Sequence, residues 1–117
     1  MFDWAEYFEL AKELAQRQDE ASQRSAISRA YYAAFCSARN RLRGQIVIPQ
    51  TSEAHSMVWN QFQESPAREQ RQIGQLGRRL RHARTEADYD DSVPELPKVV
   101  ENAIATAGKL LSILRGL

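Results

Sequence analysis

Two histidines and a group of arginines are the residues in this chain best suited to chemistry. His82 lies among Arg78, Arg79, Arg81 and Arg84, and neighbouring cations favour its neutral imidazole, a form able to accept a proton. A neutral imidazole beside guanidinium groups is an apparatus for cleaving RNA without metal: the ring takes the proton of a 2′-hydroxyl and the arginines stabilise charge on the phosphate. From composition alone, a histidine on a solvated basic face is the favoured reading. Other constellations are missing. The five glycines, Gly44, Gly74, Gly77, Gly108 and Gly116, are scattered and form no phosphate loop. Cys36 sits among alanines and reads as a small buried hydrophobe. One cysteine and two histidines are too few for a structural zinc site, and Asp88, Asp90 and Asp91 lack the calcium-loop pattern, so neither a metal nor a cofactor is expected.

The elements that must position these residues are helices. Trp4, Tyr7, Phe8, Ala11, Leu14 and Ala15 form one apolar stripe, with Asp3 and Glu6 at capping-box spacing, and predict a helix over about residues 4–17. Ile27, Ala30, Tyr31, Ala34, Phe35, Ala38 and Leu42 predict a second, ending near Gly44. Its alanines permit close approach, which places it at the centre of a bundle. Residues 44–51 read as a loop or a short extended excursion over Gln45–Ile48. A third helix starts near Ser52 and turns Ala54, Val58, Trp59 and Phe62 inward. Ser65 and Pro66 open a fourth as N-cap and first residue. There Ile73, Leu76, Leu80, Ala83 and Ala87 form a narrow stripe opposite the arginines, and Gly74 with Gly77 marks either a break or a close crossing. A last helix spans about Glu95–Leu114. The expected fold is a single all-α domain over residues 1–117, an up-and-down bundle of four to five helices.

With 117 residues, 43% of them hydrophobic, the chain has material for one core, which excludes a multidomain enzyme. No apolar run approaches the roughly 18 residues needed to span a bilayer. No cationic segment followed by an apolar run opens the chain, so a cytoplasmic protein is expected. The net charge of +1 hides an asymmetry: residues 24–84 hold 11 cations, all arginine, against 3 carboxylates. Arginine suits bidentate contact with phosphate or carboxylate, so an anionic partner and a basic face neutralised by the acidic ends of the chain are both open.

Two segments resemble the HEPN domains, small all-α domains of prokaryotic defence and toxin–antitoxin systems, often encoded beside a minimal nucleotidyltransferase. Ser28-Arg29-Ala30-Tyr31-Tyr32-Ala33-Ala34-Phe35, with Ala38-Arg39, is similar to the second-helix signature of one prokaryotic branch. Leu80-Arg81-His82-Ala83-Arg84-Thr85-Glu86-Ala87-Asp88-Tyr89-Asp90-Asp91 resembles that branch's Arg-x-x-Ala-Asp-Tyr-Asp segment near the end of a long helix, and His55 stands where the branch often has a histidine. The resemblance implies a homodimer, and in active members a metal-independent ribonuclease carrying Arg-x(4–6)-His. Here Arg78 and His82 give Arg-x(3)-His instead, and the Arg-x(4)-His-x-Tyr of the adenylylation variant is also missing.

The residues then expected to matter are Arg84, His82 and His55 for catalysis, and Arg78, Arg79, Arg81 and Arg84 for contact with RNA or a nucleotide. A semi-buried Arg29–Asp88 pair, with Tyr32 or Tyr89 as co-donor, is expected to fix helix register. Two function classes remain: an RNA- or nucleotide-engaging component of a toxin–antitoxin or defence pair, and a non-catalytic module whose arginine face docks an acidic protein.

Overall fold

A computed structural model describes all 117 residues. Five helices follow in order: α1 (Ala5–Ala15), α2 (Glu20–Leu42), α3 (Glu53–Gln63), α4 (Arg68–Tyr89) and α5 (Leu96–Arg115). The alanine-rich α2 is buried on most of its circumference, including Ala26, Ala30, Ala33, Ala34 and Ala38, and packs against all four others. Small side chains there let neighbouring backbones close in, which makes α2 the axis of an all-α bundle. One core runs through every helix, with Trp59, Tyr31, Phe62, Ile27 and Ile73 its largest fully buried members.

The helix ends follow local chemistry. Asp3 Oδ1 accepts the Ala5 N–H, and Asp19 caps α2 by accepting from the Ser22 N–H. Buried Gln23 donates to the carbonyls of Ala15 and Arg17 and so ties the α1–α2 turn to α2. Gly44, at φ 91°, turns the chain beyond α2 in a conformation other residues resist. The Gln45–Ile48 segment forms no strand, only an isolated bridge between Arg43 and Ile46. Ser65 and Pro66 do not open α4 as expected. Ser65 Oγ accepts from the Ala67 N–H in a turn, and the helix begins at Arg68.

Gly74 and Gly77 mark a close crossing, not a break, because α4 is continuous from Arg68 to Tyr89. A β-carbon at Gly74 would stand 2.8 Å from the Gln63 backbone nitrogen and 2.9 Å from the Trp59 carbonyl oxygen; one at Gly77 would enter the Trp59 ring. These two glycines seat α3 on α4, and the seat brings His55 toward the α4 arginines. No helix is long and apolar enough to cross a membrane.

Candidate functional site

The site forms where α2, α3 and α4 meet. His55 and Trp59 lie four residues apart on one face of α3, and both reach the Tyr31 hydroxyl of α2. Trp59 Nε1 donates to it at 3.1 Å, and His55 Nδ1 lies 2.6 Å from it. The indole can only donate, so the Tyr31 oxygen accepts from Trp59 and its own proton goes to His55 Nδ1. Neutral His55 therefore carries its proton on Nε2. The imidazole also stacks on Phe35, with ring centres 4.2 Å apart. Burial, with Arg81 and Arg84 adding to it, drives the His55 pKa down to about 4, so the ring is uncharged at neutral pH. Burial likewise pushes the Tyr31 phenol up, against the opposing pull of the Trp59 hydrogen bond.

Arg84 is the one buried charge of the bundle. Its guanidinium lies over the rings of Tyr31 at 5.2 Å and Tyr32 at 5.5 Å, both within cation–π range. Its Nη1 is 3.7 Å from Asp88 Oδ2, and its buried Nε has no hydrogen-bond partner. Unpaired buried donors are rare in proteins. Tyr31 thus touches both Arg84 and His55, two residues that no linear Arg-x(4–6)-His motif connects.

The expected Arg29–Asp88 pair does not form. Asp88 is occupied by Arg84 and by the Ser28 hydroxyl, which donates at 3.4 Å. Arg29 lies over Tyr7 and Tyr32, at 4.6 and 5.2 Å from the ring centres. Two aromatic faces hold it where α1 packs on α2, and the i,i+4 geometry of α4 gives Asp88 a nearer cation. Of the expected co-donors, Tyr32 serves Arg29 and Arg84 as a ring, and Tyr89 is exposed.

The four α4 arginines expected to contact RNA, Arg78, Arg79, Arg81 and Arg84, do not share one face. Arg78 reaches Gln63 and Asn60, and Arg81 Nη1 donates to Ser56 Oγ at 3.0 Å, so both lie along α3. Arg79 instead borders a groove between α4 and α5 with Val99, Asn102 and Thr106. Arg84 turns into the core. His82 is exposed, its Nε2 3.3 Å from Glu86, in a shallow hollow with Arg78, Arg81 and Thr85 and away from the Tyr31 cluster. Of the eleven arginines in residues 24–84, only Arg24 and Arg84 meet a carboxylate, so the acidic ends do not neutralise the basic block. Arg24, on α2, donates to the carbonyls of Ala87 and Asp90 at 3.0 and 2.6 Å and to that of Asp91 at 3.2 Å. It closes the C-terminus of α4 and so holds Arg84 and Asp88 in register.

The family model of the HEPN domain matches residues 5–117, nearly the whole chain. The chain belongs to the HEPN domain family. No curated protein and no solved structure matches it. Membership places it among nucleotide- and RNA-related modules that are often associated with toxins or defence. Within this HEPN domain no polar role was read from the sequence for Tyr31, placed in the core stripe and the family signature, or for Trp59, placed in the core. Their signal was available, because a buried tyrosine hydroxyl and indole N–H need partners, and His55 with Trp59 has the spacing to supply them.

Proposed function

We propose that this HEPN domain engages the phosphates of RNA or of a nucleotide, as one component of a prokaryotic toxin–antitoxin or defence pair acting in the cytoplasm. One observation carries the reading: the Arg84 guanidinium makes no hydrogen bond within the chain, its one carboxylate lies 3.7 Å away, and it stands near the uncharged His55 ring. A guanidinium held by aromatic faces and a single distant carboxylate keeps donors for an incoming anion. Arg78 and Arg81, joined to neutral side chains only, extend the positive surface outward. His55 adds its Nε2–H as a further donor.

Metal-independent cleavage of RNA is the catalytic extension of this proposal. For His55 to take a 2′-hydroxyl proton on Nε2, its own proton must first move to Nδ1, which deprives the buried Tyr31 O–H of its acceptor. That cost makes engagement the primary activity and cleavage slow. Exposed His82 is the alternative base, with Arg78 and Arg81 beside it. A homodimer and a nucleotidyltransferase-type partner belong to the proposal through the family resemblance.

The test is RNA binding across a salt series, with cleavage of tRNA and a single-stranded RNA followed in excess chelator. The protein should bind with an affinity that falls steeply with salt, and Arg84→Gln should weaken binding at least tenfold. Cleavage lost in both Arg84→Gln and His55→Asn would establish the catalytic extension; cleavage lost only in His82→Ala would move it to the surface hollow. A flat salt response would overturn the phosphate reading in favour of a module that docks an acidic protein.

A further inference from the structure

Where α1 turns into α2, the first turns of α5 close off a cavity of about 620 Å³. Leu96, Val100 and Ile104 recur every four residues along α5 and give it an apolar wall. Gln23 borders it as well and is only 9% exposed. Both hydrogens of its Nε2 are spent on the carbonyls of Ala15 and Arg17, at 2.9 and 2.6 Å, which fixes the amide and leaves Oε1 an acceptor with no donor in the chain. Two opposite charges flank the same space. Arg17 and Glu101 are exposed, and neither side chain makes an ion pair or a hydrogen bond within the chain. The third charge of the lining, Glu20, is already held by Arg24 at 2.9 Å.

We propose that this cavity is a site for a free α-amino acid with an apolar side chain. The ligand's ammonium group donates to Gln23 Oε1 and to the Glu101 carboxylate, its carboxylate pairs with the Arg17 guanidinium, and its side chain lies on the α5 wall. Each unpaired group of the lining then has a partner, whereas a hydrocarbon, a lone cation or a lone anion would serve only one of them. The volume falls within the roughly 300–1,000 Å³ range of small-molecule sites and leaves room for a side chain as large as that of leucine or phenylalanine. Gln23 cannot turn a hydrogen toward the ligand without releasing both carbonyls of the α1–α2 turn, so the site selects a donor at that point. It shares no residue with the Arg84 cluster and calls on no phosphate, so either assignment can fail without the other.

The test is calorimetric titration of the intact protein with leucine, N-acetylleucine, leucinamide and aspartate. Leucine should bind and raise the unfolding temperature. The other three, which lack in turn the ammonium, the carboxylate and the apolar side chain, should each bind roughly tenfold or more weakly, as the loss of a charge-assisted contact or of the apolar one requires. Glu101→Gln should weaken leucine by a similar factor and leave N-acetylleucine as it was, and Arg17→Gln should do the same for leucine and leave leucinamide as it was. Both residues are exposed, so their substitution does not disturb the core, and an unchanged unfolding temperature without ligand verifies this. Absence of leucine binding at millimolar concentration would overturn the proposal. So would any of the three analogues binding as tightly as leucine, or a leucine affinity that either substitution leaves unmoved.

Discussion

The Tyr31 hydroxyl and His55 Nδ1 stand 2.6 Å apart, and the indole N–H of Trp59 donates to the same hydroxyl. This chain fixes the tautomer of an imidazole that the family resemblance marks by position alone. Nitrogen-15 spectra of the two histidines should show His55 Nδ1 unprotonated and hydrogen-bonded at neutral pH, with Nε2 carrying the proton. A protonated Nδ1 would reverse the direction of the chain.

Tyr31→Phe keeps the ring and removes the oxygen. It strands the Trp59 N–H and His55 Nδ1, and loss of such partners in a buried setting costs about 1–3 kcal/mol. Donation to Nδ1 favours the neutral ring, so the variant should also titrate His55 at higher pH than the parent. Chemical denaturation and histidine NMR measure the two effects separately.

His55 also sets a pH window. Its pKa in the folded protein, about 4, is below the value of about 6.5 for an unfolded chain, so the unfolded state binds the proton more readily. The contribution is fully present above pH 6.5 and is lost as pH falls from about 6.5 to about 4. Unfolding free energies of the parent should decline across that interval more steeply than those of His55→Asn; parallel curves would remove His55 as the cause.

The glycine seat admits no side chain. Alanine at Gly77 would gain about 1 kcal/mol of helix propensity but would enter the Trp59 ring, and overpacking costs about 1–3 kcal/mol, sometimes more. Gly77→Ala should lower the unfolding temperature, and Gly74→Ala, opposed by the α3 backbone, should do so as well. Stabilisation in either variant would show that the crossing can open.

Arg24→Gln removes three charge-assisted contacts to the end of α4. Hydrogen bonds of this class contribute about 1.5–3 kcal/mol where well formed, and the partial exposure of Arg24 puts the expected loss near the lower figure. Hydrogen exchange should speed up at residues 86–90 while the α1–α2 turn stays protected.

Much of the fold was legible because helical periodicity is a local property of the chain. The alanine run of α2 identified the central helix, and the apolar stripe of α4 located its buried side. What the sequence could not decide depended on which helix lies opposite. Gly74 and Gly77 allowed two outcomes until Trp59 was found against them. Ser65 and Pro66 had the composition of a helix start, but the Ser65 hydroxyl spends itself on a turn. Arg29 and Asp88 have opposite charge and compatible positions, yet Tyr7 offers Arg29 a surface that no reading of α2 alone includes. The α4 arginines are consecutive enough to suggest one patch, and helical geometry spreads them to α3, to the α5 groove and into the core. Arg24 gave no signal of its hold on α4, because its partners there are backbone carbonyls.

The crossing of α3 over α4 bears on how such a site could change over generations. The spacing between an imidazole on one helix and a guanidinium on another is set here by two positions that carry only hydrogen. A methyl group added at Gly74 or Gly77 would push α3 outward and draw the imidazole away from the guanidinium, altering the chemistry without replacing any residue that performs it. Drift at these silent positions is therefore a route by which relatives sharing every polar residue of the cluster could differ in how that cluster is arranged.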